Sequence, residues 1–197
     1  MLREFKLFAA GLMVCFFFQI RAQNFFGSVT LGINASQING DNAAGYNKAG
    51  LTGGFKIASP VSPSVDISAE LLYSGRGSRD NRQNIRINLD YIEMPLVVSF
   101  RDWYIEKGDY DKVRVDGGLS YGYLFRASSN ENTLGPFVDQ LKKHDMSMII
   151  GAAYMFTPKW GVSLRYTRSL FKMLSNKDFE QGGLLGYFVT LRGEYHF

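Results

Sequence analysis

Cysteine is almost missing. Cys15 is the single one in 197 residues, and it sits inside an N-terminal apolar run. If that run is removed on export, neither a disulfide nor a cysteine-held metal is available. Histidine is scarce too. His144 and His196 lie at distant points of the chain, so a metal site built on histidine is not expected, and no cofactor is either. Long hydrophobic runs are also lacking. After the N-terminus no stretch approaches the ~18 apolar residues that a membrane helix needs, and mean hydropathy is only -0.11. Charge of one sign is not concentrated. The net charge of +4 falls to +2 once Arg3, Lys6, Arg21 and Glu4 depart, because three bases and one acid leave together. Nucleic-acid binding wants a clustered basic face, so no nucleic acid is expected as a partner.

Aromatic residues, at 15%, and the 21 glycines are abundant, and hydrophobic residues make up 46%. Such richness without a long apolar run is the bulk signature of a membrane β-barrel. The N-terminus reads as a secretory signal. Arg3 and Lys6 precede the apolar Leu7 to Phe18, and Ala22 is a small residue placed for cleavage before Gln23. The expected organisation is a cleaved signal peptide over 1–22 and one barrel domain over 23–197. Two other readings of the N-terminus are weaker. The apolar run is short for an anchor. Leu12 to Cys15 resembles a lipobox, but Val14 stands where a small residue belongs and the apolar run continues through Phe18.

The rest of the chain alternates with period two, the mark of half-buried strands. The expected strands are Asn24 to Ile33, Ala49 to Ser59, Val65 to Ser74, Ile87 to Arg101, Lys112 to Phe125, Asp145 to Phe156, Trp160 to Arg168 and Leu184 to Phe197. In the fourth, Ile92, Met94, Leu96, Val98 and Phe100 oppose Tyr91, Glu93, Pro95, Ser99 and Arg101. In the eighth, Leu185, Tyr187, Val189 and Leu191 oppose Thr190, Arg192, Glu194 and His196.

The connections alternate in length. Ser59 to Ser64 holds Pro60 and Pro63, and Thr157 to Lys159 holds Pro158, so both are tight turns. Asn34 to Lys48, Gly75 to Arg86, Arg126 to His144 and Ser169 to Gly183 read as longer polar loops. Pro136 to Lys143 could form one short helix, with Phe137 and Leu141 one turn apart. Short turns on one side and long loops on the other is the asymmetry of outer-membrane barrels. Asp102 to Asp111 departs from it, being long for a periplasmic turn. Gly53-Gly54, Gly117-Gly118 and Gly182-Gly183 are expected to allow close packing or bending in a tight barrel.

A soluble barrel of the lipocalin kind keeps its apolar face inside. Here the inner face would then hold Phe55, Tyr73, Phe100, Tyr121, Tyr123, Phe125, Tyr154, Tyr166, Tyr187 and Phe197. A barrel of about eight strands is only wide enough for its own side chains. Turned round, the rings face lipid and the charges face each other. The fold class is therefore all-β: a closed antiparallel up-and-down transmembrane β-barrel of about eight strands, in the outer membrane. Tyr195 and Phe197 end the last strand with the aromatic pattern expected to serve as an assembly signal.

The chain resembles the outer-membrane β-barrel domain common in Bacteroidota and often called PorT-like. The residues that carry the resemblance are Gly32-Ile33-Asn34-Ala35-Ser36, Gly53-Gly54-Phe55, Glu70-Leu71-Leu72-Tyr73-Ser74 with Gly75 and Gly77, Tyr91 to Leu96, Asp116-Gly117-Gly118 and Tyr195-His196-Phe197. The resemblance covers essentially all of 23–197. It implies an outer-membrane barrel, implies no shared catalytic residue, and links the named member to protein secretion through the type IX system.

Three functions are open at this level: a non-enzymatic structural or interaction barrel aiding secretion or envelope maintenance, a narrow porin for small solutes, and a surface lipid-modifying hydrolase. The last would draw on His144, Asp145 and Ser147, but an odd spacing sends His144 and Ser147 to opposite faces of an ideal strand. The expectation is therefore no enzyme and no catalytic residue. Glu70, Glu93 and Asp116 are expected to meet Arg165 and Arg192 in a structural lumen cluster, with Lys56 somewhat lower. Arg76, Arg79, Arg82 and Arg86 read most simply as a solvated basic loop at headgroup level, partly offset by Asp80 and Asp90, with binding of lipopolysaccharide phosphates as the alternative. Expected partners are outer-membrane lipids and lipopolysaccharide, the barrel-assembly machinery and secretion-system proteins.

Overall fold

A computed structural model describes residues 25–39, 48–80, 85–130, 141–174 and 184–197. The expected signal peptide, Arg82 and most of the expected helix at Pro136 to Lys143 lie outside them. Eight strands follow in chain order: β1 Phe26–Asn39, β2 Lys48–Ser62, β3 Val65–Asp80, β4 Ile85–Ile105, β5 Tyr110–Ser129, β6 His144–Met155, β7 Trp160–Ser169 and β8 Leu185–His196. Each pairs antiparallel with its chain neighbour, and β1 pairs with β8, so the sheet closes. Closure leaves no unpaired strand edge for lipid to meet.

The period-two pattern decides the faces. Leu31, Leu51, Leu96 and Ile150 point outward and are exposed, while Ser28, Thr30, Lys56, Glu70 and Asp116 point inward and are buried. A protein in water rarely shows so broad an apolar surface; in a bilayer it is the lipid-facing band. Aromatic residues gather at its edges. The Trp160 and Tyr195 rings meet at a tilt of 51° with centroids 4.7 Å apart near the turns, and the Lys112 ammonium lies 5.2 Å from the centroid of the Trp103 ring. Tyr73 and Phe125 pair at the opposite rim, as do Tyr123 and His144.

Three expectations from the sequence are corrected. Gly75 to Arg86 is not a loop: β3 runs on to Asp80 and β4 begins at Ile85, with Gly77 opposite Asn88 and Arg79 opposite Arg86. Glycines and arginines there mask a ladder that is held by backbone pairing. Asp102 to Asp111 is not a long turn, because Asp102 pairs with Val113 and Ile105 with Tyr110. That leaves Glu106 to Asp109 as the turn, with Asp109 at positive φ. Arg76 is not a surface loop residue. It lies on the inner face of β3 and is buried.

Strand length differs around the barrel. β4 has 21 residues and β5 has 20, against 10 in β7. A transmembrane strand needs roughly 9–11, so the β3 to β5 wall projects beyond the bilayer.

Candidate functional site

The lumen holds the densest chemistry among the described residues. Inward positions on β2, β3, β5, β7 and β8 bring seven charged groups to one level. Arg165 reaches Glu70 at 2.7 Å and Asp116 at 3.0 Å. Asp116 also accepts from Arg114 at 2.9 Å, and Arg114 reaches Glu194 at 2.8 Å. Glu194 lies 3.2 Å from Arg192, which returns to Glu70 at 2.8 Å. Glu70, Arg165, Asp116, Arg114, Glu194 and Arg192 thus form a closed ring of alternating sign. Each carboxylate sits between two guanidinium groups, the arrangement that lets buried ions offset their lost hydration. Lys56 approaches Glu194 from below at 3.9 Å, and Ser99 donates to Asp116 at 2.7 Å.

A second cluster lies nearer the outer end. The Arg76 guanidinium donates to Glu93 at 2.9 Å and to Asp145 at 2.8 Å. It lies between the rings of Tyr91 and Phe188, 4.5 and 4.3 Å from their centroids. Ser147 donates to Asp145 at 2.8 Å. Between the two clusters is a void of about 20 Å³, room for about one water. Formal charges are complementary. The lower cluster has four bases and three acids, and the upper one base and two acids.

Above Arg76 the lumen turns apolar. Ile38, Ile87, Leu89, Tyr91 and Leu124 point inward and pack with Leu141, Met173, Leu174 and Leu184. Below the ring a mouth of about 430 Å³ opens at the turn end, lined in part by Asp66, Arg101, Tyr110, Lys159 and His196. Arg101 bridges Asp66 at 2.9 Å and Asp111 at 3.1 Å there.

Of the residues singled out in the sequence, Glu70, Asp116, Arg165 and Arg192 come together. Glu93 does not join them; it belongs to the Arg76 cluster. Arg114 and Glu194 complete the ring although sequence reasoning left them out of the cluster. Their signal was there, since both alternate onto the polar face of their strands. His144 faces outward and contacts the Tyr121 hydroxyl, whereas Asp145 and Ser147 are buried in the lumen. The wall of the barrel separates them, so they form no triad. Phe197 donates its backbone N–H to Gly27 at 3.1 Å and so joins the seam of closure.

The family of outer membrane protein beta-barrel domains matches residues 17–175. The chain belongs to this family. The outer membrane protein beta-barrel domain is therefore the unit in which the ring and the cap are built, and its place is the outer membrane. Comparison with curated sequences returns no match. Among solved structures, the domain is similar to Ail, the attachment invasion locus protein of Yersinia pestis, in complex with the heparin analogue sucrose octasulfate. The two are 13% identical, with a TM-score of 0.50, over 88% of this chain and 99% of that one. It is also similar to Neisserial surface protein A, at 10% identity and a TM-score of 0.51, over 88% of this chain and 97% of that one. At such identities the likeness is one of fold.

Proposed function

We propose that this outer-membrane barrel is closed to solutes and serves a non-enzymatic structural or interaction role. The observation that carries the reading is the alternating ring of Glu70, Arg165, Asp116, Arg114, Glu194 and Arg192, which spans the lumen from β3 to β8. A porin needs a continuous water path, and a charge layer tied by direct contacts, under an apolar cap, obstructs one. The hydrolase reading loses its residues, because His144 lies on the other side of the wall from Asp145 and Ser147. The PorT-like resemblance favours support of protein secretion or envelope maintenance over transport. In that reading the working surfaces are the outer extension and the periplasmic mouth, and the lumen is the scaffold that holds them.

Planar-bilayer recording of the pure protein tests closure. The expected result is no steady channel; a sustained conductance of porin size overturns the reading. Lipid A mass spectra unchanged by His144→Ala are expected alongside. Pull-down of the intact barrel from its native membrane is expected to recover secretion or envelope proteins, and recovery of the barrel alone speaks against an interaction role.

A further inference from the structure

The two faces of β4 exchange polarity along its length. From Phe100 to Ile92 the outward residues Phe100, Val98, Leu96, Met94 and Ile92 are apolar and exposed, and Ser99 and Glu93 point inward. Past Tyr91 the pattern is reversed. Asp90, Asn88 and Arg86 take the outward positions, and Tyr91, Leu89 and Ile87 are buried in the apolar cap. β3 changes in the same way, from Leu71 and Tyr73 to Gly75, Gly77 and Arg79 on the outward side. An apolar outer face suits hydrocarbon and a polar one suits headgroups and water. The reversal between Ile92 and Asp90 therefore marks the outer edge of the hydrocarbon. The Tyr73 hydroxyl donates to Asp90 at 2.8 Å at this edge, as an interfacial tyrosine does. Arg86 lies four residues further along the strand, about 10 Å higher for a rise of ~3.3 Å per residue and a tilt of ~45°. That is the depth of polar headgroups.

At this depth Arg79 and Arg86 stand directly opposite each other in the β3 to β4 ladder, and both are exposed. Like charges in direct cross-strand register are destabilising. Neither guanidinium takes part in the ion pairs formed among the described side chains. Lys48 at the start of β2 lies within electrostatic reach of both and of Asp90. Of the two acids near them, Asp80 follows Arg79 at the end of β3, and Asp90 is already bonded to Tyr73 and stands opposite Arg126. Two arginines held at fixed spacing by backbone pairing make a planar, multidentate donor set for a phosphate. An anion between them turns the repulsion into attraction. We propose that Arg79 and Arg86 bind phosphate groups of the anionic glycolipid of the outer leaflet, lipopolysaccharide.

The test uses the full barrel in nanodiscs made from zwitterionic phospholipid, with lipopolysaccharide added. Arg79→Gln/Arg86→Gln is expected to weaken binding at least tenfold, and Arg79→Lys/Arg86→Lys to restore part of it. Enzymatically dephosphorylated lipopolysaccharide should bind the parent as weakly as the intact glycolipid binds the double glutamine variant. Without glycolipid, that variant should melt no lower than the parent, because a like-charge pair has been removed. With glycolipid, its gain in melting temperature should be smaller than the parent's. Equal binding by parent and variant overturns the proposal, as does a variant that melts lower in the glycolipid-free disc. Competition by millimolar inorganic phosphate shows a free-phosphate site and overturns the lipid assignment. Binding of soluble polyphosphate as tight as that of lipopolysaccharide does the same, pointing to a soluble polyanion.

Discussion

Arg165 and Glu70 meet end to end across the lumen: the Nη1 and Nη2 groups of Arg165 donate to the two carboxylate oxygens of Glu70 at 2.9 and 2.7 Å, although 95 residues separate them in the chain. Both side chains are buried, so neither charge can fall back on bulk water if the other is removed. Arg165→Ala leaves Glu70 with Arg192, and Asp116 with Arg114, as the one remaining guanidinium partner of each. Breaking a buried pair from one side typically costs about 3–5 kcal/mol. The expected outcome is a loss of that order in urea unfolding from lipid vesicles. Glu70→Gln/Arg165→Met, which removes both members of the pair, should lose less.

Two adjacent glycines should respond in opposite ways. Gly118 faces the lumen, where a Cβ would come within 2.2 Å of the Leu96 carbonyl oxygen across the ladder. Gly117 faces lipid, and nothing lies within 4 Å of its Cβ position. Gly118→Ala is expected to reduce the folded fraction sharply, and Gly117→Ala to leave it unchanged. The heat-dependent gel shift of folded barrels reads both.

The polarity reversal on β4 predicts a boundary in aqueous reactivity. Cys15 is the only native cysteine, and it lies in the expected signal peptide, so single introduced cysteines give clean readings. Cysteines replacing Arg86 and Asn88 should react with a membrane-impermeant maleimide added to intact cells. Cysteines replacing Met94 and Leu96 should not.

Phe197 joins the seam where β1 meets β8, against the Gly27 backbone. Its deletion removes one hydrogen bond but also the terminal aromatic expected to guide assembly. Outer-membrane levels should fall severalfold in cells, with an envelope stress response. Urea unfolding of the fraction that inserts should change by no more than about 1 kcal/mol, the worth of one hydrogen bond.

The sequence alone decided which face each residue takes. Alternation is a property of the extended backbone, so Leu96 against Glu93, or Tyr166 against Arg165, is legible wherever the strand is recognised. It also carried the choice of membrane over water, because a small barrel cannot hold that many rings inside. The polarity reversal at Tyr91 is masked, because arginines and glycines between Gly75 and Arg86 look like a loop unless the pairing partner is known. Only tertiary structure decided who meets whom. Closure and strand stagger fix which inward residues share a level, and no local pattern encodes that. Hence Glu93 went to Arg76 and not to Arg165, and Arg114 and Glu194 completed a ring whose members come from β3, β5, β7 and β8. Electrostatics acts over a few ångströms of space, and within the ring those ångströms span up to 122 residues of chain.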